Sequence, residues 1–171
     1  MTRPDPNECL PYYHGYINEL PEGDIDIIQT LSTQIEETCG LLQDLGEEQA
    51  LHRYAEGKWS IKDIVGHLID AERVFAYRAL SFARQDPSEL PSMEQDDWVK
   101  TAQADRRSLD DLLEELRRVR LSTVSLFESM DEEMSLRTGT ASGCEFSVRT
   151  FPYIIAGHEL HHQRILKERY L

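Results

Sequence analysis

Residues 150–169, TFPYIIAGHELHHQRILKER, place three of the chain's six histidines inside one helical pattern. Ile154, Ile155, Ile165 and Leu166 form its apolar stripe. Side chains four positions apart share a helix face, so His158 and His162 continue that stripe where Leu or Ile would be expected. Two imidazoles placed in a core need partners for their nitrogens. A hydrogen-bonded core pair is one answer, and a metal ion, for which neutral imidazole is a good ligand, is the other. His161 is rotated by about 100° from His162 and is expected to face solvent or a neighbouring chain.

The same residues satisfy the H-E-x-x-H pattern of zinc proteases, with Glu159 as the base. Only nine residues follow His162 and none is a histidine, so the usual downstream ligand is missing. No segment shows strand alternation that could align a peptide, and the protease reading is set aside. The search for a third ligand turns upstream to His67 in GHLIDAE, residues 66–72, near the start of another helix and close to its buried side. Three histidines with one position left open is the plan of a catalytic rather than a closed structural zinc site. His14 and His52 have no such neighbours and are expected at the surface.

Four helical patterns surround these histidines. The first runs from about Asp24 to Leu45. The second opens at Ser60, with Asp63 completing a capping-box-like pair, and ends before Asp86-Pro87. The third starts at Ser108 and carries Leu109, Leu112, Leu113, Leu116, Phe127 and Met130. The fourth begins between Ser147 and Phe151, with Pro152 in its first turn, and runs close to Leu171. The expected fold is all-α: a four-helix bundle, most simply antiparallel, over residues 24–171. An irregular, proline-rich arm over residues 1–23, with a short helix near Tyr12–Glu19, packs on it. Long loops precede helices 3 and 4; the first holds a short helix around Trp98, and Thr138–Glu145 is read as irregular. Tyr77, Phe82 and Trp98 either line a subunit interface or complete the core.

The length of 171 residues fits one domain. The net charge of −14 repels phosphate backbones and anionic lipid, which argues against nucleic-acid and membrane partners. The N-terminal residues have no apolar h-region and no apolar run approaches a spanning length, so a cytoplasmic location is expected. Cys9, Cys39 and Cys144 are odd in number and far apart, which argues against a disulfide framework. Cys144, after Gly143, is the one candidate reactive thiol. Asp70, one turn from His67, is a candidate acceptor for its free N–H, against a simple solvated carboxylate. Glu72 and Arg120 fall on apolar faces of the second and third helices, where they either pair or reach solvent from the stripe edges.

Residues 58–80, KWSIKDIVGHLIDAERVFAYRAL, and 147–170, SVRTFPYIIAGHELHHQRILKERY, together resemble the DinB-like superfamily. The resemblance extends to YYHGYI (residues 12–17) and RQDPSELPSMEQDDW (residues 84–98). It implies a four-helix bundle, often homodimeric, whose divalent metal, nickel or zinc, rests on His67, His158 and His162 with water completing the shell. It implies for some members a thiol-dependent S-transferase using a low-molecular-weight thiol, while many members have no assigned reaction and this chain resembles those. The expected function is therefore a metal-binding protein acting on a small molecule, as a thiol transferase or a related metal-dependent enzyme. The alternatives are a non-catalytic metal-binding module and a metal-dependent hydrolase.

Overall fold

Three of the four long helices begin where a side chain supplies an oxygen for their unpaired amides. Ser60 accepts from the Asp63 amide at 3.0 Å while Asp63 accepts from the Ser60 amide at 3.1 Å, the reciprocal cap expected from the sequence. Asp26 and Ser108 cap two further helices through Gln29 and Asp111.

The computed structural model describes residues 1–171. A 3-10 turn, Pro6–Glu8, precedes α1 (Pro11–Ile17) and α2 (Ile27–Leu42). Then come α3 (Glu47–Ala50), α4 (Ile61–Ala83), α5 (Gln95–Ala102) and α6 (Leu109–Glu128). The chain closes with α7 (Glu132–Ser135), the strands β1 (Thr138–Ala141) and β2 (Cys144–Ser147), and α8 (Thr150–Arg169). The four expected long helices are α2, α4, α6 and α8; α1 and α5 are the two short ones. No helix is long and apolar enough to cross a membrane.

The stretch read as irregular is instead an antiparallel hairpin pairing Thr138 with Ser147 and Ala141 with Cys144. Its two-residue turn, Ser142-Gly143, has positive φ at both positions (56° and 74°), the requirement of a type I′ turn. Leu90 adds a short parallel bridge to Ala141, which pins the loop after α4 onto the hairpin. Four-residue strands are too short for alternation to register, so the turn was their only legible signal.

The bundle also departs from the simplest antiparallel order. Arg120 of α6 donates to the Leu31 carbonyl of α2, and Arg117 lies 3.4 Å from Glu36, so these helices run oppositely. Lys62 and Arg73 of α4 meet Arg107 and Glu115 respectively, so α4 and α6 run the same way. Gln34 donates to the Ala156 carbonyl and Thr38 to Glu159, so α2 is parallel to α8. Each of α2 and α4 packs on both α6 and α8, which puts α2 and α4 on one diagonal and α6 and α8 on the other. Diagonal and parallel steps both need long connections, which is the physical reason for the extended loops.

The apolar core comes in two parts. One is built around Phe75, Phe82, Phe146 and Phe151, the other around Ile35, Leu68, Leu113 and Leu166. Phe82 thus completes the core, while Tyr77 and Trp98 stay exposed. Between the two parts every long helix turns polar and buried: Gln34 and Thr38, His67 and Glu72, Arg120 and Thr123, and His158, Glu159, His162 and Gln163.

The arm is fastened to α8. Glu8 pairs with Arg149 and accepts from Ser147 at 2.5 Å, and Arg3 donates to the Ile17 and Pro21 carbonyls. The Arg149 guanidinium holds the Glu8 carboxyl down at about 2. Because the folded value lies below the unfolded one, this tie contributes stability above about pH 4.5 that is lost as pH falls toward 2. The melting-temperature gap between the wild type and Glu8→Gln is expected to be open at pH 6 and to close over that acid range; a gap independent of pH would remove Glu8 as the titrating tie.

Candidate metal centre

The polar layer contains one point where three imidazoles converge. His67 enters from the second turn of α4, and His158 and His162 from successive turns of α8. Their potential ligand nitrogens all lie within 4.8 Å of one another, and all three residues are buried. His158 Nε2 is 3.1 Å from His67 Nε2 and 3.1 Å from His162 Nε2. Burial lowers the His67 pKa to about 4 and pushes His158 and His162 well below their ordinary value, so all three are neutral at pH 7.

Neighbours hold the rings in place. Trp59 packs at a tilt against His67 with centroids 4.8 Å apart, and Tyr16 meets His158 edge-on at 5.1 Å. Tyr16 reaches this position because α1 presses directly on Gly157, where a Cβ would come within 2.0 Å of the Tyr16 carbonyl. The arm is therefore part of the site, which the sequence reading did not anticipate.

Glu159 turns away from the histidines. Arg120 donates to it at 2.7 Å and Thr38 donates to its other oxygen. Arg120 also makes two bonds to Glu72, at 2.9 and 2.8 Å, and one to the Leu31 carbonyl at 2.9 Å. Glu72 and Arg120 thus form a buried pair, and Glu159 makes it a triad. A carboxylate so occupied cannot serve as the base of an H-E-x-x-H protease, in keeping with the sequence argument. Asp70 is half-buried on another side of α4, in the field of Arg73, Glu115 and Arg107, and is not bonded to His67. Burial raises its pKa above the ordinary carboxylate value, so it is neither the acceptor for His67 nor a freely solvated group.

His161 lies at the surface, half-buried against the Tyr16 ring, with Arg164 donating to its Nδ1 at 3.3 Å. His14 bonds to the Pro6 carbonyl at 2.7 Å, and His52 is exposed beside Tyr170. All three cysteines are free. Burial raises Cys9 and Cys39 to about 11, and Cys144 packs half-buried against the aromatic core.

A cavity of about 390 Å³ opens onto the histidines. His67, His158, Phe75, Tyr13, Arg78 and, from the start of α5, Asp96 are among the residues that line it. Sequence reasoning missed Arg78 and Asp96, because a cation on an amphipathic helix and an acid in a first turn both read as surface groups.

The donor set fits a divalent ion. One Nε2 cannot satisfy two neighbouring imidazoles with a single proton, whereas three lone pairs aimed at one point suit a cation. Tetrahedral coordination at about 2.0–2.1 Å would set such nitrogens roughly 3.3 Å apart, close to the two 3.1 Å spacings that His158 makes and within the 4.8 Å that bounds all three.

Residues 30–166 match the DinB superfamily. The chain belongs to that family. Among solved structures, the DinB protein resembles YfiT from Bacillus subtilis, described as a probable metal-dependent hydrolase with an unusual four-helix bundle topology. The TM-score is 0.74 at 16% identity, over 87% of this chain and 90% of YfiT, a likeness of fold. Among sequences, it is 30% identical over 88 residues to a candidate metal-dependent hydrolase of Geobacillus thermodenitrificans, a match spanning 52% of this chain and 49% of that protein. A second candidate metal-dependent hydrolase, from Geobacillus kaustophilus, is 28% identical over 69% of this chain and 67% of its own length. The DinB chain thus spans about half the length of the first of these relatives and about two thirds of the second.

Proposed function

We propose that this DinB protein is a metal-dependent hydrolase whose ion rests on His67, His158 and His162. The observation that carries the reading is the convergence of three neutral imidazoles, two of which, His67 and His158, line an open cavity. A divalent ion there, zinc or nickel by donor chemistry, would supply Lewis acidity and lower the pKa of water. The chain's own groups supply the rest. Trp59 and Tyr16 fix the rings, Phe75 gives the cavity an apolar inner wall, and Asp96 is the acid placed to accept a proton at the mouth. Its charge already acts on His67. The names of the Geobacillus relatives and of YfiT agree with this class and favour it over the thiol transferase.

The test is a panel of nitrophenyl esters, amides and phosphoesters offered to the zinc- and nickel-loaded protein. Hydrolysis of one class is expected, with kcat lowered about 10²-fold or more in Asp96→Asn as for loss of a general base. Glutathione-dependent displacement on a chloro-nitrobenzene, without any hydrolysis, would return the transferase reading in its place.

A further inference from the structure

Arg78 is almost fully buried in α4, eleven positions beyond His67, which sets their Cα atoms about 16 Å apart along the helix. Its Nη2 donates to the Pro91 carbonyl at 2.7 Å and to Ser142 Oγ at 3.2 Å, both neutral acceptors. No carboxylate lies within ion-pair distance of it. The other deeply buried cations are matched: Arg120 by Glu72 and Glu159, Lys62 by Glu47. A buried guanidinium without a counter-charge is costly. Arg78 lines the histidine cavity and also the adjoining one, of about 330 Å³, that holds Tyr77 and Trp98.

The charges facing that space are mixed in sign. Glu94, Asp96 and Asp97 stand on the α5 side of the histidine cavity, where acids also complement the start of a helix. Asp70 and Arg73 border the adjoining cavity, and Arg78 is the cation common to the two. Three acids on one wall disfavour a dianion, while the unpaired guanidinium calls for one negative charge. We propose that Arg78 is an anion subsite of this DinB protein, holding a single carboxylate of an elongated, partly apolar substrate whose other end reaches the histidines. What happens at that far end rests on the hydrolase reading; the carboxylate subsite itself does not.

Binding to the metal-loaded full chain, followed by calorimetry, separates the two. Hexanoate, hexanamide and hexyl phosphate are the probes. Hexanoate is expected to bind, hexanamide not detectably, and hexyl phosphate more weakly than hexanoate. Arg78→Gln is expected to weaken hexanoate about ten- to a hundredfold, the scale of a lost hydrogen bond to a charged group. Arg78→Lys should keep most of the binding. Full affinity in Arg78→Gln would mean that the carboxylate sits on the metal, and would overturn the subsite. Equal affinity for hexanamide in the wild type would overturn it without any variant, and tighter binding of hexyl phosphate would overturn the carboxylate assignment. Loss of ester hydrolysis alone, with hexanoate binding intact, would count against the hydrolase reading and leave the subsite standing.

Discussion

Arg120→Met is expected to lower unfolding free energy by about 3–5 kcal/mol, read by urea denaturation, because it leaves two buried carboxylates without their cation. Glu72 and Glu159 would face each other's charge in the middle of the bundle, and the Leu31 carbonyl would lose its donor. Domains of this size are stable by only about 5–15 kcal/mol, so the variant is expected to sit near its unfolding threshold. Glu159→Gln should cost less, since Arg120 keeps both bonds to Glu72. Replacing all three with Met, Gln and Gln should recover most of the loss, because paired buried charges contribute little net stability while a broken pair costs much. A loss below about 1 kcal/mol in Arg120→Met would show that water reaches this layer in solution.

His158→Ala is expected to abolish stoichiometric metal binding, since His158 is the histidine whose Nε2 lies 3.1 Å from both others. Elemental analysis of wild type reconstituted with zinc or nickel should give one ion per chain, and the variant close to none. Saturating metal at about a thousand times its dissociation constant would stabilise the wild type by about 4 kcal/mol, and the variant should show no such rise in melting temperature. Equal metal content in both proteins would sink the three-histidine site. The variant itself removes a buried polar ring and does not break a charge pair, so its metal-free form should fold.

The long helices were legible because their stripes, and for two of them a cap, lie in consecutive residues: Ser60 with Asp63, Ser108 with Asp111, Leu109 through Phe127. The histidine pair was legible for the same reason, since four-residue spacing is a local property. His67 came from the absence of a ligand after His162 and from the resemblance. What the sequence did not reveal depends on distant chain segments meeting. The parallel course of α4 and α6 is written in contacts such as Arg73–Glu115, which no single-helix pattern contains. The third member of the buried charge triad was hidden because Glu159 read as a metalloprotease base, and only Arg120 arriving from α6 shows its other use. Tyr16 and Arg78 belong to the cavity only because the arm folds back on Gly157 and the hairpin turn closes over α4.

Since α4 and α6 point the same way, the chain between them must travel back along the bundle before the second can start. That return strap passes over the cavity and supplies Ser92, Met93, Glu94 and Asp96 to its wall, while the histidines stay on α4 and α8. Two jobs are thereby placed on separate stretches of chain. Insertions or exchanges in the strap can reshape what enters without disturbing a single ligand or a helix of the core. Under the proposed function, a scaffold divided in this way would let one metal cradle be fitted with different mouths, and substrate preference is expected to track the strap, not the bundle.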